Sequence, residues 1–383
     1  MNIIGTLDEI EETVSYLKSE FEMKDLGRTK FCLGLELVHR ADDILVHQSN
    51  YTQKMLRRFN MDLCSPLSTP MVVRSLDIKK DPFRPKEDDE DVLGLEVPYL
   101  SAIGALLYLA QCTRPDISFA VNLLARFSSA PTLRHWNGIK HLFRYLKGSL
   151  DMGLFYPYCR ENTATVSPHT TAVADPGLAT VRRSDAAGRH GVETVRGAES
   201  SNRSRAALSP DAKTPNNLLV GYADAGYLSD PHKARSQTGY VFTIGNTAIS
   251  WRSTKQSLVA TSSNHAEIIA LHEAVKECVW LRSLVRHIRD SCGLVSTTDQ
   301  PTCIYEDNAA CIEQTKLGFI KGDNTKHISP KFFYNVQQQK FLNVQINQVS
   351  SESNVADLFT KSLPKSTFVK HVKSIGMRRL SEH

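Results

Sequence analysis

Between residues 261 and 288, hydrophobic residues return every three or four positions. Ala266, Ile269, Ala270, Ala274, Val275, Cys278, Leu281 and Leu284 form one stripe, the pattern of an amphipathic helix. Glu267 borders that stripe. A carboxylate at the edge of an apolar face costs free energy unless it is paired, hydrogen-bonded or bound to a metal. It reads either as a surface or ion-paired residue or as a ligand, and the pattern alone leaves both open.

The same reading extends along the chain. Residues 8–22 predict a helix, with Leu7, Ile10, Val14, Leu17 and Phe21 on one side and acids in the first turn, where the helix dipole favours them. Two apolar runs, 31–38 and 44–47, flank a polar break of hairpin length and predict two antiparallel strands. Helical spacing returns in "NYTQKMLRRFNM", with Pro66 and Pro70 beyond it as stops. After the acidic loop "PKEDDEDVLG" come three predicted helices, 99–112, 115–127 and 133–147, the second opened by Pro115. On the third, Trp136, Ile139, Phe143 and Leu146 make a core stripe. Lys140, Arg144 and Lys147 share another face, either a solvated row or one that tracks phosphates.

From residue 157 to 217 the texture changes to Thr, Ser, Ala, Arg and Asp with few large apolar residues, a composition that cannot build a core. This stretch is expected to be a disordered linker or insertion between units 1–156 and 218–383. The second unit predicts three meandering strands, "LLVGYADAGY", "TGYVFTIG" and "TAISWRS", the last two joined by a Gly245–Asn246 turn. The helix of Glu267 follows, then a strand ending in Glu306 and Asp307, two helices, the strand "NVQINQVS" and a helical turn containing Asp357. The expected architecture is α/β, with a mixed five-stranded sheet in the C-terminal half.

A length of 383 residues favours more than one core, and 46 Lys plus Arg against 41 Asp plus Glu permits a nucleic-acid partner without requiring one. The eight cysteines show no zinc-like spacing, and Met1 leads into "NIIGTLDEIEE" without a basic signal region. Reduced thiols in an intracellular compartment, cytoplasmic or nuclear, are expected. No apolar run approaches the roughly 20 residues that span a bilayer, so no membrane partner is expected.

Asp224, Glu267, Asp307 and Asp357 each lie near an element end where a mixed sheet gathers its ligands. Four carboxylates brought together would repel unless they held divalent cations, and all-oxygen donors select hard ions such as Mg²⁺ or Mn²⁺. Two such ions about 3.5–4 Å apart can activate a water and stabilise the leaving oxygen of a phosphodiester.

A resemblance sharpens this. The run from "GYADAGYLSD" to "AVKECVWLR", with "YEDNAACIEQTK", "TKHIS" and "VADLFTKSLP", resembles the RNase H domain of copia-type LTR retrotransposon Pol polyproteins across 218–376. "LKSEFEMKDLGRTKFCLGLEL", "VPYLSAIGALLYLAQCTRPDISFAVNLLARF" and "HWNGIKHLFRYLKGS" resemble the C-terminal reverse transcriptase region of the same polyproteins. The resemblance implies an RNase H-like sheet preceded by an incomplete α+β palm and thumb-side segment. It puts the family's four catalytic, metal-binding carboxylates on Asp224, Glu267, Asp307 and Asp357, with two Mg²⁺ or Mn²⁺ as cofactor.

It further implies an RNA–DNA hybrid as partner; for such an endonuclease Lys140, Arg144 and Lys147 are the row that would grip duplex backbone. His327 is either a substrate contact or a helix-cap histidine. The family's Tyr-X-Asp-Asp polymerase motif would precede Met1, so no nucleotide addition is expected from this chain alone, unless a separate chain supplies the palm. "NHAEI" stands where the family has "TEAEY", and "TKHIS" where it has "TKHID"; neither removes a ligand. Two functions follow as expectations: a two-metal RNase H-type endonuclease, or a non-catalytic remnant that at most binds nucleic acid or protein.

Overall fold

Alternation and turn chemistry build two sheets. The computed structural model describes residues 3, 5, 7–75, 77–158, 219–293, 300–319 and 328–382. Of the expected linker, everything from residue 159 lies outside the described residues, as does His327. The N-terminal part runs α1 (Leu7–Glu20), β1 (Phe31–Cys32), β2 (Leu35–His39), β3 (Asp43–His47), α2 (Ser49–Arg58), α3 (Tyr99–Cys112), α4 (Ser118–Ala125), α5 (Leu133–Lys147) and β4 (Met152–Pro157). The C-terminal part runs β5 (Val220–Asp230), β6 (Arg235–Ile244), β7 (Thr247–Lys255), α6 (Ser263–Ser291), β8 (Thr302–Glu306), α7 (Ala309–Leu317), α8 (Ser329–Lys340), β9 (Val344–Gln348), α9 (Lys365–Ser374) and β10 (Met377–Arg379).

The first sheet has the order β1-β2-β3-β4-β10 and is antiparallel throughout. Its first strand corrects an expectation: the run 31–38 is a tight hairpin, because Leu33 and Gly34 take positive φ (51° and 82°) and fold Phe31 back opposite Glu36. The helix expected at 115–127 also differs at its start. Residues Pro115–Ile117 form a 3-10 turn, where the buried Arg114 grips Asp116 (3.0 and 2.8 Å) and bonds Ser149. Helix α2 stops at Arg58, well before Pro66, since Asn60 turns left-handed with φ 54°.

The second sheet has the order β7-β6-β5-β8-β9, with β5, β6 and β7 antiparallel and β8 and β9 parallel to β5. It is the mixed five-stranded sheet the sequence predicts. Gly245 and Asn246, both at positive φ, make the β6–β7 turn. Helix α6 covers one face: Ala223, Ala225, Tyr240 and Phe242 share a core with Ile268, Ile269, Leu271 and Val275 of α6 and with Phe332 of α8. Val241 and Ala248 face the other way and join a core built on α3, α4 and α5, including Leu106, Ile117, Leu123 and Phe143.

The chain segments before and after the undescribed stretch therefore share a core. They also share a sheet, since Met377 of β10 pairs with Leu154 of β4. All described residues fall in one compact unit.

Candidate active site

Period-two geometry sends Asp224 away from α6, because its neighbours Ala223 and Ala225 point toward that helix. Across the β5–β6 ladder Asp224 faces Gly239. That glycine leaves room for a 3-10 turn, Val355–Phe359, to approach the sheet: a Cβ at 239 would lie 2.6 Å from Thr360 Cγ2, 2.8 Å from Phe359 Cβ and 3.0 Å from the Ala356 carbonyl. Buried Asn354 holds the turn, donating to the Ala223 carbonyl (2.9 Å) and accepting from the Ala356 amide (3.1 Å). Ser253 adds a bond to the Phe359 carbonyl, 2.6 Å. The turn delivers Asp357 beside Asp224. Lys361, one turn on, bridges them, with Nζ 3.3 Å from Asp224 Oδ1 and 2.6 Å from Asp357 Oδ1. The Thr360 hydroxyl donates to Asp224 Oδ2.

Two acids arrive from the α6 side. Ser262 caps α6 by accepting from the His265 amide, and Gln256 ties the first turn to the sheet through the Ala266 carbonyl (3.0 Å) and Thr238 (3.1 Å). Glu267, in that first stretch, is buried at 6% exposure. Glu306 ends β8 at 0% exposure, on the row of Thr302 and Ile304 that faces α6. Asp307 follows it, and Asn308 then caps α7.

The four acids named from the sequence meet in two overlapping groups. One oxygen each from Asp224, Asp307 and Asp357 lies within 4.8 Å of the others, and one each from Glu267, Glu306 and Asp307 does the same. Asp307 is common to both. Burial pushes the Glu267 and Glu306 carboxyls well above the usual carboxylate range, with Glu306 and Asp224 adding to it at Glu267 and Asp224 adding to it at Glu306. Burial and Asp224 raise Asp307 too, and they raise Asp357 to about 7 even against the opposing pull of Lys361. Burial opposes the charge on Lys361, but Asp224 and Asp357 outweigh it and raise its pKa.

Glu267 Oε2 and Glu306 Oε2 are buried without a hydrogen-bond partner. Such oxygens are costly unless a cation completes them, and an all-carboxylate donor set matches a hard divalent ion. The residues present therefore fit Mg²⁺ or Mn²⁺.

Lys140, Arg144 and Lys147 are partly exposed on α5, and Arg144 Nε donates to the Ser65 carbonyl at 2.8 Å. Sequence reasoning placed Glu306 at a strand end without counting it among the ligands, and passed over Thr360 and Lys361. Glu306 carried a usable signal, since it continues the inward row of Thr302 and Ile304. Lys361 lies four residues after Asp357, a same-face spacing on a helical turn.

A family model described as reverse transcriptase (RNA-dependent DNA polymerase) matches residues 3–73. The chain is 29% identical over 363 residues to the Retrovirus-related Pol polyprotein from transposon TNT 1-94 of Nicotiana tabacum, covering 94% of this chain and 22% of that protein. It is 26% identical over 371 residues to the Retrovirus-related Pol polyprotein from transposon RE2 of Arabidopsis thaliana, covering 96% of this chain and 20% of that protein. It thus spans about a fifth of the length of these relatives. Over 193 residues, half of this chain, it is 33% identical to the Secreted RxLR effector protein 161 of Plasmopara viticola, 97% of which is covered. Among solved structures, LC11-RNase H1 in complex with RNA/DNA hybrid aligns with 37% of this chain and 93% of its own, at 19% identity and a TM-score of 0.27.

Proposed function

From a chain that belongs to the Pol polyproteins of copia-type retrotransposons, we infer an RNase H-type endonuclease that cuts the RNA strand of an RNA–DNA hybrid. One observation carries this reading: four acids from β5, α6, the end of β8 and the 3-10 turn converge in two groups sharing Asp307. Asp224, Glu267, Asp307 and Asp357 would hold two Mg²⁺ or Mn²⁺. When bound, such a pair of ions activates a water and stabilises the leaving oxygen of a phosphodiester.

The side chains around the acids have definable tasks. Thr360 and Asn354 fix Asp224 and the turn of Asp357. Lys361 places an ammonium beside both acids, within reach of a phosphate brought to them. Lys140, Arg144 and Lys147 supply a basic row on α5 for the backbone of a duplex, which is recognised by phosphates and shape.

The test is cleavage of a labelled RNA–DNA hybrid by the full chain with Mg²⁺, with Mn²⁺ and with EDTA, beside the Asp307→Asn variant. Metal-dependent cutting confined to the RNA strand and abolished in Asp307→Asn is expected. Full activity in that variant overturns the assignment, and no cleavage from a folded wild-type chain leaves the non-catalytic remnant.

A further inference from the structure

We propose that Glu306 is a fifth carboxylate ligand, so that one of the two metal positions is held by Glu267, Glu306 and Asp307 and the other by Asp224, Asp307 and Asp357. This rests on the metal-dependent reading above and extends it to a residue outside the four-acid set.

The sheet itself separates the two positions. Asp224 leaves β5 on the face opposite Ala223 and Ala225, and its partners Thr360, Lys361 and Asp357 all come from the turn on that side. Glu306 leaves β8 on the α6 face, in line with Thr302 and Ile304, and meets Glu267 there. Asp307, just past the strand end, reaches both groups.

The two groups differ in how their charge is balanced. On the Asp224 side, Lys361 gives two of the three acids an ion pair. Among the described residues no Lys, Arg or His forms an ion pair with Glu267 or Glu306. Glu306 Oε1 accepts from the Asn308 amide at 3.2 Å, and Oε2 has no partner. Glu267 Oε2, from the facing helix, also has none. A turn-stabilising role uses one oxygen of Glu306 and leaves the other unexplained. Two buried acids of one group, each with an unpartnered oxygen, ask for a cation there.

The experiment is a Mn²⁺ titration of the full chain, read by calorimetry and by the electron paramagnetic resonance signal of free Mn²⁺. The wild-type chain is expected to bind two ions. Glu306→Gln, which keeps shape and the Asn308 contact, is expected to keep one ion at wild-type affinity and weaken the other at least ten-fold. Asp357→Asn should weaken the opposite position. A metal-free thermal melt confirms folding; if Glu306→Gln does not fold, Glu306→Asp, charged but shorter, is scored the same way. Two ions bound at unchanged affinity in the Glu306 variant overturn the proposal, as does a single wild-type ion that the variant leaves unchanged. A folded wild-type chain that binds no Mn²⁺ instead overturns the metal-dependent reading on which it rests.

Discussion

At Gly239 a single missing methyl group decides whether the site closes. The space its Cβ would fill is taken by Thr360, Phe359 and the Ala356 carbonyl, at 2.6 to 3.0 Å. Gly239→Ala is therefore overpacked and should cost about 1–3 kcal/mol. Because the displaced group is the turn carrying Asp357, hybrid cleavage and Mn²⁺ affinity should fall further than stability explains. Gly104→Ala is the control: nothing lies within 4 Å of its Cβ on α3, and removing a helical glycine should stabilise by about 0.5–1 kcal/mol. Denaturant melts with cleavage assays on both variants decide it; equal activity in the two would show that the turn does not depend on the gap. Glycine at 239 announces none of this in the sequence, since its reason is a turn more than a hundred residues away. Glu267 draws notice because it borders a helical stripe, and Glu306 does so by the same logic in period two, though the pattern alone assigns neither a role. Lys361 and Thr360 become meaningful only once the turn is seated against β5.

Among elements, those whose pattern is local were legible and those made by distant pairing were not. Helices α3 and α5 begin and end where periodicity puts them, and the β6–β7 hairpin turns at Gly245–Asn246. The tight β1–β2 hairpin was hidden because its apolar run reads straight through Leu33 and Gly34. Strand β10 was hidden for a stronger reason: Met377–Arg379 has no alternation of its own, and its partner strand is β4. Around it the Ile375 carbonyl accepts from Ala248 of β7 (3.0 Å) and the Gly376 carbonyl from Phe155 of β4 (3.0 Å). This segment joins both sheets, and Met377, 1% exposed, sits in the core they share. Met377→Ala should lose about 2–5 kcal/mol in a denaturant melt while leaving metal-dependent cleavage by the folded fraction intact. A loss below about 0.5 kcal/mol, the usual size of a surface change, would mean the segment is not part of the cooperative core.

For the whole molecule, the acid cluster sets stability against function. Asp357 titrates at about 7 in the fold, raised by burial and by Asp224, and Glu267, Glu306 and Asp307 are raised in the same direction. The folded chain thus keeps protons that the unfolded chain, with ordinary carboxylates near 4, has released between about pH 4 and 7. Stability contributed by these groups must fall as pH rises through that window. Buried His135 and His371 and half-buried His272 act the other way: burial lowers each to about 4, so they stay neutral in the fold and cost stability as pH falls below about 6.5. The two slopes overlap, and a wild-type melt alone does not separate them. The difference between Asp357→Asn and wild type does, because the histidines cancel. Lys361 loses one ion pair in the variant but keeps Asp224, and the raised pKa of Asp357 means that its charged form is disfavoured on balance despite Lys361. Without metal, Asp357→Asn should come closest to wild type at about pH 4 or below, where the window opens, and melt a few degrees higher at pH 8. Added Mg²⁺ should reverse that order at pH 8, because the charges that destabilise the metal-free fold are those that would hold the proposed ion. A variant that melts lower than wild type at pH 8 without metal would mean that the Lys361 pair outweighs the repulsion. One that melts higher with Mg²⁺ as well would mean that Asp357 is no ligand.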